Sequence, residues 1–376
     1  MPADDALPSP ESLRVLDDAL VRGVRAITDE ALSTRRQHLA TISPETAELV
    51  DSVAGYLEGG KLLRPRFCFW GGVAALGREP TDEEIDSLAR CGAAIELVQA
   101  AALMHDDVID HSPVRRGRPS LHVEAATRHR EAGLVGSAED FGIATAIVQG
   151  DLALSWAEQV ASGVRGDLSG TARARDEFDA LRTEVMSGQF LDILHQAGGY
   201  ESSPDAEQAA LSVIRWKTVP YTVLRPVRIG AALMGASDAV LGQLSDWAIE
   251  VGTAFQLRDD LLSVVGDQDE TGKPIGGDIV EGKRTVLLAR TESASDDAGR
   301  GLLAQVVGNP GATAAQIAEV HELMASTGAV RAVADEIRTR AELGQTLLAE
   351  ARLGLLGRTG LSQLAELATE LSSLRS

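Results

Sequence analysis

DEEIDSLARCGAAIELVQAAALMHDDVID, residues 82–110, is the stretch from which the rest of the chain is best understood. Ile85, Leu88, Gly92, Ile95, Gln99, Ala102 and Asp106 step by three and four. That spacing keeps side chains on one face of an α-helix and predicts a single long, largely apolar helix. The helix closes in Asp106, Asp107 and Asp110. With about 3.6 residues per turn, Asp106 and Asp110 stand one above the other, where like charges cost helix stability. Carboxylates near a helix C-terminus also oppose the macrodipole. A multivalent cation would compensate, and oxygen-only ligands suit a hard ion such as Mg²⁺. Arg115 and Arg116 follow at once, and guanidinium forks grip a planar or tetrahedral polyanion well.

A second acidic cluster lies far downstream. In 239–265 the positions Leu241, Leu244, Ala248, Val251 and Phe255 again share a helical face, and Gln256, Asp259 and Asp260 sit late on that helix. Gln256 and Asp259 are three apart and share a face. Nearly every other segment has helical period, and no alternating run bounded by turns predicts a sheet. Breaks are expected at Gly59-Gly60, 77–80, 111–119, 163–170, 198–204, 266–282 and 309–311. The expectation is an all-α chain folded as one large helical bundle over 11–376, with 1–10 as a disordered tail.

Composition narrows the function classes. The 376 residues are 44% hydrophobic but only 3% aromatic, so the core is built from Leu, Val, Ile and Ala. A formal charge of −21 argues against a nucleic-acid partner and against docking on anionic lipid. The two cysteines, Cys68 and Cys91, sit among apolar residues and are expected as core thiols rather than a disulfide. No apolar run is expected to span a bilayer, and the N-terminus lacks the pattern of a secretion signal, so a cytoplasmic protein is expected.

Two apparent motifs are discarded. Residues 267–278 partly match a calcium loop but lack its closing glutamate, and 277–283 resembles a phosphate loop but has Arg284 where Ser or Thr must hold Mg²⁺. Exposed acidic clusters are usually just solvated, and Lys61, Arg64 or Lys217 alone would usually be surface charges. Gln189 and Asp192 alone could equally be polar helix contacts. Two such clusters on apolar helices rarely coincide. His105 is expected beside the site and not as a ligand, since Mg²⁺ prefers oxygen.

With two acidic clusters on helices, an Arg-Arg-Gly turn and an all-helical pattern, the sequence resembles the trans-isoprenyl diphosphate synthases, and among them the bacterial geranylgeranyl type. The resemblance implies one all-α bundle around a central apolar cavity. It implies that Gly60, Lys61, Arg64, Gln99 and Arg116 bind isopentenyl diphosphate, and that Arg115, Lys217 and Thr218 serve the allylic diphosphate. Asp106, Asp107 and Asp110 match the first aspartate-rich motif, Gly188, Gln189 and Asp192 a mid-chain motif, and Gln256, Asp259 and Asp260 the second aspartate-rich motif. Lys273 and Lys283 match its trailing lysines. Three Mg²⁺ ions bound with the diphosphate are implied, with Asp106, Asp110 and Asp259 as ligands, and so is a homodimer. One departure stands out: the family's third aspartate of the second motif is Ser263 here, and Asp267 is a possible substitute.

The implied reaction is head-to-tail condensation of isopentenyl diphosphate with an allylic diphosphate. Val98, Ala101 and Ala102, one to two turns before Asp106, are small, so an open product pocket and geranylgeranyl diphosphate are expected, ahead of longer chains and farnesyl diphosphate. The alternatives on this fold are a terpene cyclase, against which Asp259-Asp260 and the Lys61/Arg64 pair argue, and a regulatory subunit, which usually lacks an aspartate cluster. A metal-binding structural bundle without turnover is the remaining alternative.

Overall fold

The computed structural model describes residues 8–198, 206–265 and 276–371. Its first helix, α1 (Pro10–Ala40), starts on the Ser9 side chain, which accepts from the Ser12 amide. Then follow α2 (Pro44–Ala47), α3 (Leu49–Leu57), α4 (Leu63–Leu76) and α5 (Asp82–Ile109). The start of α5 is fixed by a capping box in which Thr81 and Glu84 satisfy each other's backbone amides. After α5 come α6 (Leu121–Glu131), α7 (Ala138–Ala161), α8 (Leu168–Gln196), α9 (Ala206–Val213), α10 (Arg225–Leu233) and α11 (Asp238–Val265). The C-terminal part holds α12 (Gly277–Glu281), α13 (Val286–Ala294), α14 (Asp297–Val306), α15 (Ala314–Ser326), α16 (Ala329–Glu350) and α17 (Leu355–Thr369). Among the described residues the exception to an all-α chain is a ribbon in the 111–119 break, β1 (Val114–Arg115) against β2 (Arg118–Pro119).

The chain divides into two compact units. The first contains Met1–Phe178, Pro226–Leu241 and Leu353–Leu361. Here α5 is central and packs on α1, α3, α4 and α7, while α6 lies on α7. Close approach of α5 and α7 depends on Gly150, because a Cβ there would stand 2.1 Å from the His105 ring. The His105 Nε2 instead reaches the Ile147 carbonyl at 3.2 Å. Cys68 and Cys91 are buried free thiols, as expected. The bilayer expectation needs one correction: α5 is long and apolar enough to cross a membrane by length and composition. Its apolar window is 78% buried, as in the core helix of a folded bundle.

The second unit contains Asp179–Arg225, Gly242–Arg352 and Ser362–Ser376. Here α13 packs on α9 and α16, and Arg290 ties them by pairing with Glu207 at 2.6 Å and with Glu336. Between α9 and α10 the backbone runs through two successive π-helical turns, Ile214–Thr218 and Pro220–Leu224. Such turns are rare and concentrate at functional positions.

Candidate active site

In the first unit the C-terminus of α5 sets the geometry. Asp110 is the C-cap, its amide donating to the Asp106 carbonyl at 2.8 Å. The ribbon beyond it turns through Arg116 and Gly117, both at positive φ (51° and 75°), as a two-residue type I′ hairpin turn requires. This turn separates the two arginines. The Arg115 Nε donates to the Asp107 Oδ1 at 2.8 Å, with Nη2 on the same oxygen. Arg116 donates instead to the carbonyls of Tyr56, at 3.3 Å, and Glu58.

Asp107 therefore differs from its motif neighbours. Asp106 and Asp110 lie half-buried, whereas Asp107 is 0% exposed. Its second oxygen accepts from the Tyr56 hydroxyl at 2.8 Å, and that hydroxyl accepts from the Leu121 amide at 3.1 Å. Burial first, then the charge of Asp107, pushes the Tyr56 hydroxyl well above the usual tyrosine range, so it keeps its proton and donates it as a hydrogen bond to Asp107. Burial works against the Arg115 charge, but the bond and charge of Asp107 outweigh it and hold the guanidinium above its ordinary value.

The residues matched to isopentenyl diphosphate lie in the same unit. Lys61 is exposed, and Gly60, Arg64 and Gln99 are half-buried. A side chain on Gly60 would come 3.7 Å from the Arg116 guanidinium and 3.9 Å from the Glu96 carboxylate. Glu96 is buried, which raises its pKa against the opposing pull of Arg64 and Arg116. Of the three small residues upstream of Asp106, Val98 (1% exposed) and Ala101 (0%) are enclosed. Ala102 is half-buried with Gln99 and Asp106, on the stripe read from the sequence.

In the second unit the mid-chain motif, the π-helical turns and α11 form one connected set. Gly188 lets α8 touch the first π-helical turn, since a Cβ would stand 2.5 Å from the Lys217 backbone. The Lys217 ammonium pairs with Asp192 at 2.6 Å. The Thr218 hydroxyl donates to the Gln256 carbonyl oxygen at 2.8 Å, and the Gln256 amide donates to Asp260 at 2.7 Å. Gln189 lies near this set in sequence, and among the described residues its buried amide nitrogen has no partner. Asp259 is exposed. Loss of solvent pushes the Asp260 carboxyl up to about 8; Asp278 and Asp259 add to the shift, and Gln256 and Lys283 oppose it. Lys283 pairs with Asp278 at 3.5 Å and with Glu281 at 3.1 Å. The Ser263 hydroxyl donates to the Asp260 carbonyl at 2.8 Å, turned onto its own helix. Lys273 and Asp267 lie outside the described residues.

Tyr56, Glu96 and Asp278 are the site residues that sequence reasoning missed. A charged residue inside the apolar run of α5 was a signal for Glu96, and the acidic spacing of the 266–282 break was one for Asp278. Nothing in the local sequence marked Tyr56. Among the described residues no three His, Cys, Asp or Glu side chains converge closely enough to hold an ion unaided. The carboxylate oxygens of Asp106, Asp110 and Asp259 are the donor type Mg²⁺ takes, commonly one or two carboxylates together with substrate phosphates.

Residues 47–324 match the polyprenyl synthetase family. The chain belongs to that family. Polyprenyl synthetases are prenyltransferases and use a divalent metal. The chain is 36% identical to a geranylgeranyl pyrophosphate synthase from Corynebacterium glutamicum, whose crystal structure holds isoprenyl diphosphate and magnesium. The TM-score is 0.88, over 94% of this chain and 99% of that one. It is 29% identical to a short chain isoprenyl diphosphate synthase of Methanothermobacter thermautotrophicus, over 88% of this chain and 92% of the relative. It is 31% identical to a geranylfarnesyl diphosphate synthase of Natronomonas pharaonis, over 73% of this chain and 76% of the relative. The expected family, all-α fold and enzyme class are therefore as read from the sequence.

Proposed function

We propose that this polyprenyl synthetase makes geranylgeranyl diphosphate by Mg²⁺-dependent, head-to-tail condensation of isopentenyl diphosphate with an allylic diphosphate. The observation that carries the product length is Ala102, a small side chain on the half-buried stripe of α5 that ends in Asp106. The name of the C. glutamicum relative supports the same product.

In this reading Asp106 and Asp110 in the first unit, and Asp259 in the second, are magnesium-binding positions, with three ions bound in all. Magnesium, when bound, would neutralise the leaving diphosphate. Arg115, Lys217 and Lys283 would place cationic charge where the diphosphate gains it, and fixed charges of that kind lower the barrier without reorganising. Lys61, Arg64, Gln99 and Arg116 would hold the diphosphate of the second substrate. Gln256 and Thr218 present weakly nucleophilic oxygens, which can steady an allylic cation without trapping it. The reading includes a cytoplasmic homodimer. Exposed Phe141, Ile147 and Val148 on α7 support the dimer, and light scattering would test it by returning twice the 39.6 kDa chain mass.

The test is purified protein with Mg²⁺, labelled isopentenyl diphosphate and each allylic starter, with products resolved by length. A C20 diphosphate that disappears on chelation is expected. Ala102→Phe should shorten it to C15 or C10. An unchanged product from that variant refutes the assigned pocket, and a wild-type product of another length refutes the geranylgeranyl assignment.

A further inference from the structure

We propose that Tyr56 is a positioning residue for the reaction: through Asp107 it fixes the direction in which Arg115 presents its guanidinium. The proposal rests on the reading above that Arg115 meets the allylic diphosphate.

Both oxygens of the Asp107 carboxylate are engaged. Its Oδ1 takes Nε and Nη2 of Arg115, and its Oδ2 takes the Tyr56 hydroxyl at 2.8 Å. The hydroxyl has one hydrogen, and its lone pair is occupied by the Leu121 amide at 3.1 Å. That amide opens α6 and belongs to the first-turn donors that find no partner within their own helix. Tyr56 is thus held from the α6 side and has its hydrogen directed at Asp107. Tyr56 itself stands on α3, anchored by buried Val50 and Val53.

Two consequences follow for Arg115. The guanidinium carries five N–H donors in a rigid fork. Pairing through Nε and Nη2 leaves the Nη1 edge outside the ion pair. Asp106 also acts electrostatically on Arg115, so a carboxylate one residue away competes for the same guanidinium. Pinning Asp107 Oδ2 stops that carboxylate from rotating and settles the competition in favour of Asp107. Arg115 is then held in place for the diphosphate. Asp107, despite its place in an acidic motif, is withheld from metal ligation.

The test is Tyr56→Phe in the full-length protein, which keeps the ring and removes the hydroxyl. Loss of one hydrogen bond to a charged group should raise KM for the allylic diphosphate about tenfold. KM for isopentenyl diphosphate should change by less than about twofold, because Arg116 is held separately on the Tyr56 and Glu58 carbonyls. Calorimetric titration with Mg²⁺ and inorganic pyrophosphate should show the same weakening without turnover. In an Arg115→Lys background the Tyr56→Phe effect on pyrophosphate binding should disappear, since both changes act on one contact. Equal shifts of both KM values, or full additivity with Arg115→Lys, would overturn the proposal. A wild-type protein that forms no prenyl product, yet loses pyrophosphate affinity on Tyr56→Phe only when Arg115 is intact, would support the positioning role. It would refute only the proposed reaction.

Discussion

Asp107 and Asp260 hold the same place in their motifs, the second of two adjacent aspartates late on a long apolar helix, and their surroundings are opposite. Asp107 is enclosed by a guanidinium on one oxygen and a phenol on the other. Asp260 has an amide, Gln256, as its bonded partner and two further carboxylates, Asp278 and Asp259, acting on it, with Lys283 opposing them. The first is paired as an anion. The second is pushed up to about 8 and favours its proton. Motif spacing therefore sets which helix a carboxylate stands on, while the neighbours set its charge.

The largest expected effect comes from breaking the first environment. Asp107→Ala removes the hydrogen-bonded counter-charge of Arg115, which is only 18% exposed, and leaves it the more distant charge of Asp106. Removing one partner of a buried pair costs about 3–5 kcal/mol, so the denaturation midpoint should drop sharply. A shift no larger than that of a surface aspartate variant would show that the pair is dispensable.

Asp260 is expected to respond in the other direction. Its folded pKa lies above its ordinary 3.8. Between 3.8 and about 8 the folded, metal-free protein keeps a proton that the unfolded chain releases. Its contribution to stability is therefore fully present below 3.8, falls as pH rises through that window, and levels off above about 8. Asp260→Asn should flatten that slope in thermal melts from pH 4 to 8, with little change at the acid end. An unaltered pH profile would mean that Asp260 is ionised like an exposed carboxylate.

The smallest effect is expected at Ser263. Ser263→Asp places a third carboxylate four residues after Asp259, where like charges cost about 0.2–0.5 kcal/mol. The metal-free protein should lose that much, and added Mg²⁺ should recover it. A loss that persists with Mg²⁺ would show that position 263 takes no part in ion binding.

Much of this was legible in advance because it depends on local periodicity. The stripe from Ile85 to Asp106 marks α5, the one from Leu241 to Phe255 marks α11, and the breaks at Gly59-Gly60, 77–80, 111–119 and 309–311 fall between helices, whereas α8 already begins at Leu168 within the 163–170 break and α12 (Gly277–Glu281) lies within the 266–282 break. The π-helical turns around Lys217 and Thr218 were not legible, because the close packing of α8 at Gly188 against the Lys217 backbone is a contact between residues distant in the chain. The short ribbon was missed as well. Two residues per strand leave no alternation to detect, and its turn depends on Arg116 adopting a positive φ.

By itself the sequence determined which residue types stand on which helices: acidic clusters late on α5 and α11, and arginines at the turn after α5. Helical spacing is a property of neighbouring residues, so it survives without knowledge of the fold. Only the tertiary structure decided that Tyr56, 51 residues before Asp107, would hold its carboxylate, and that Asp278 would press on Asp260. Those outcomes arise from desolvation and from groups distant in the chain, and helical spacing records neither.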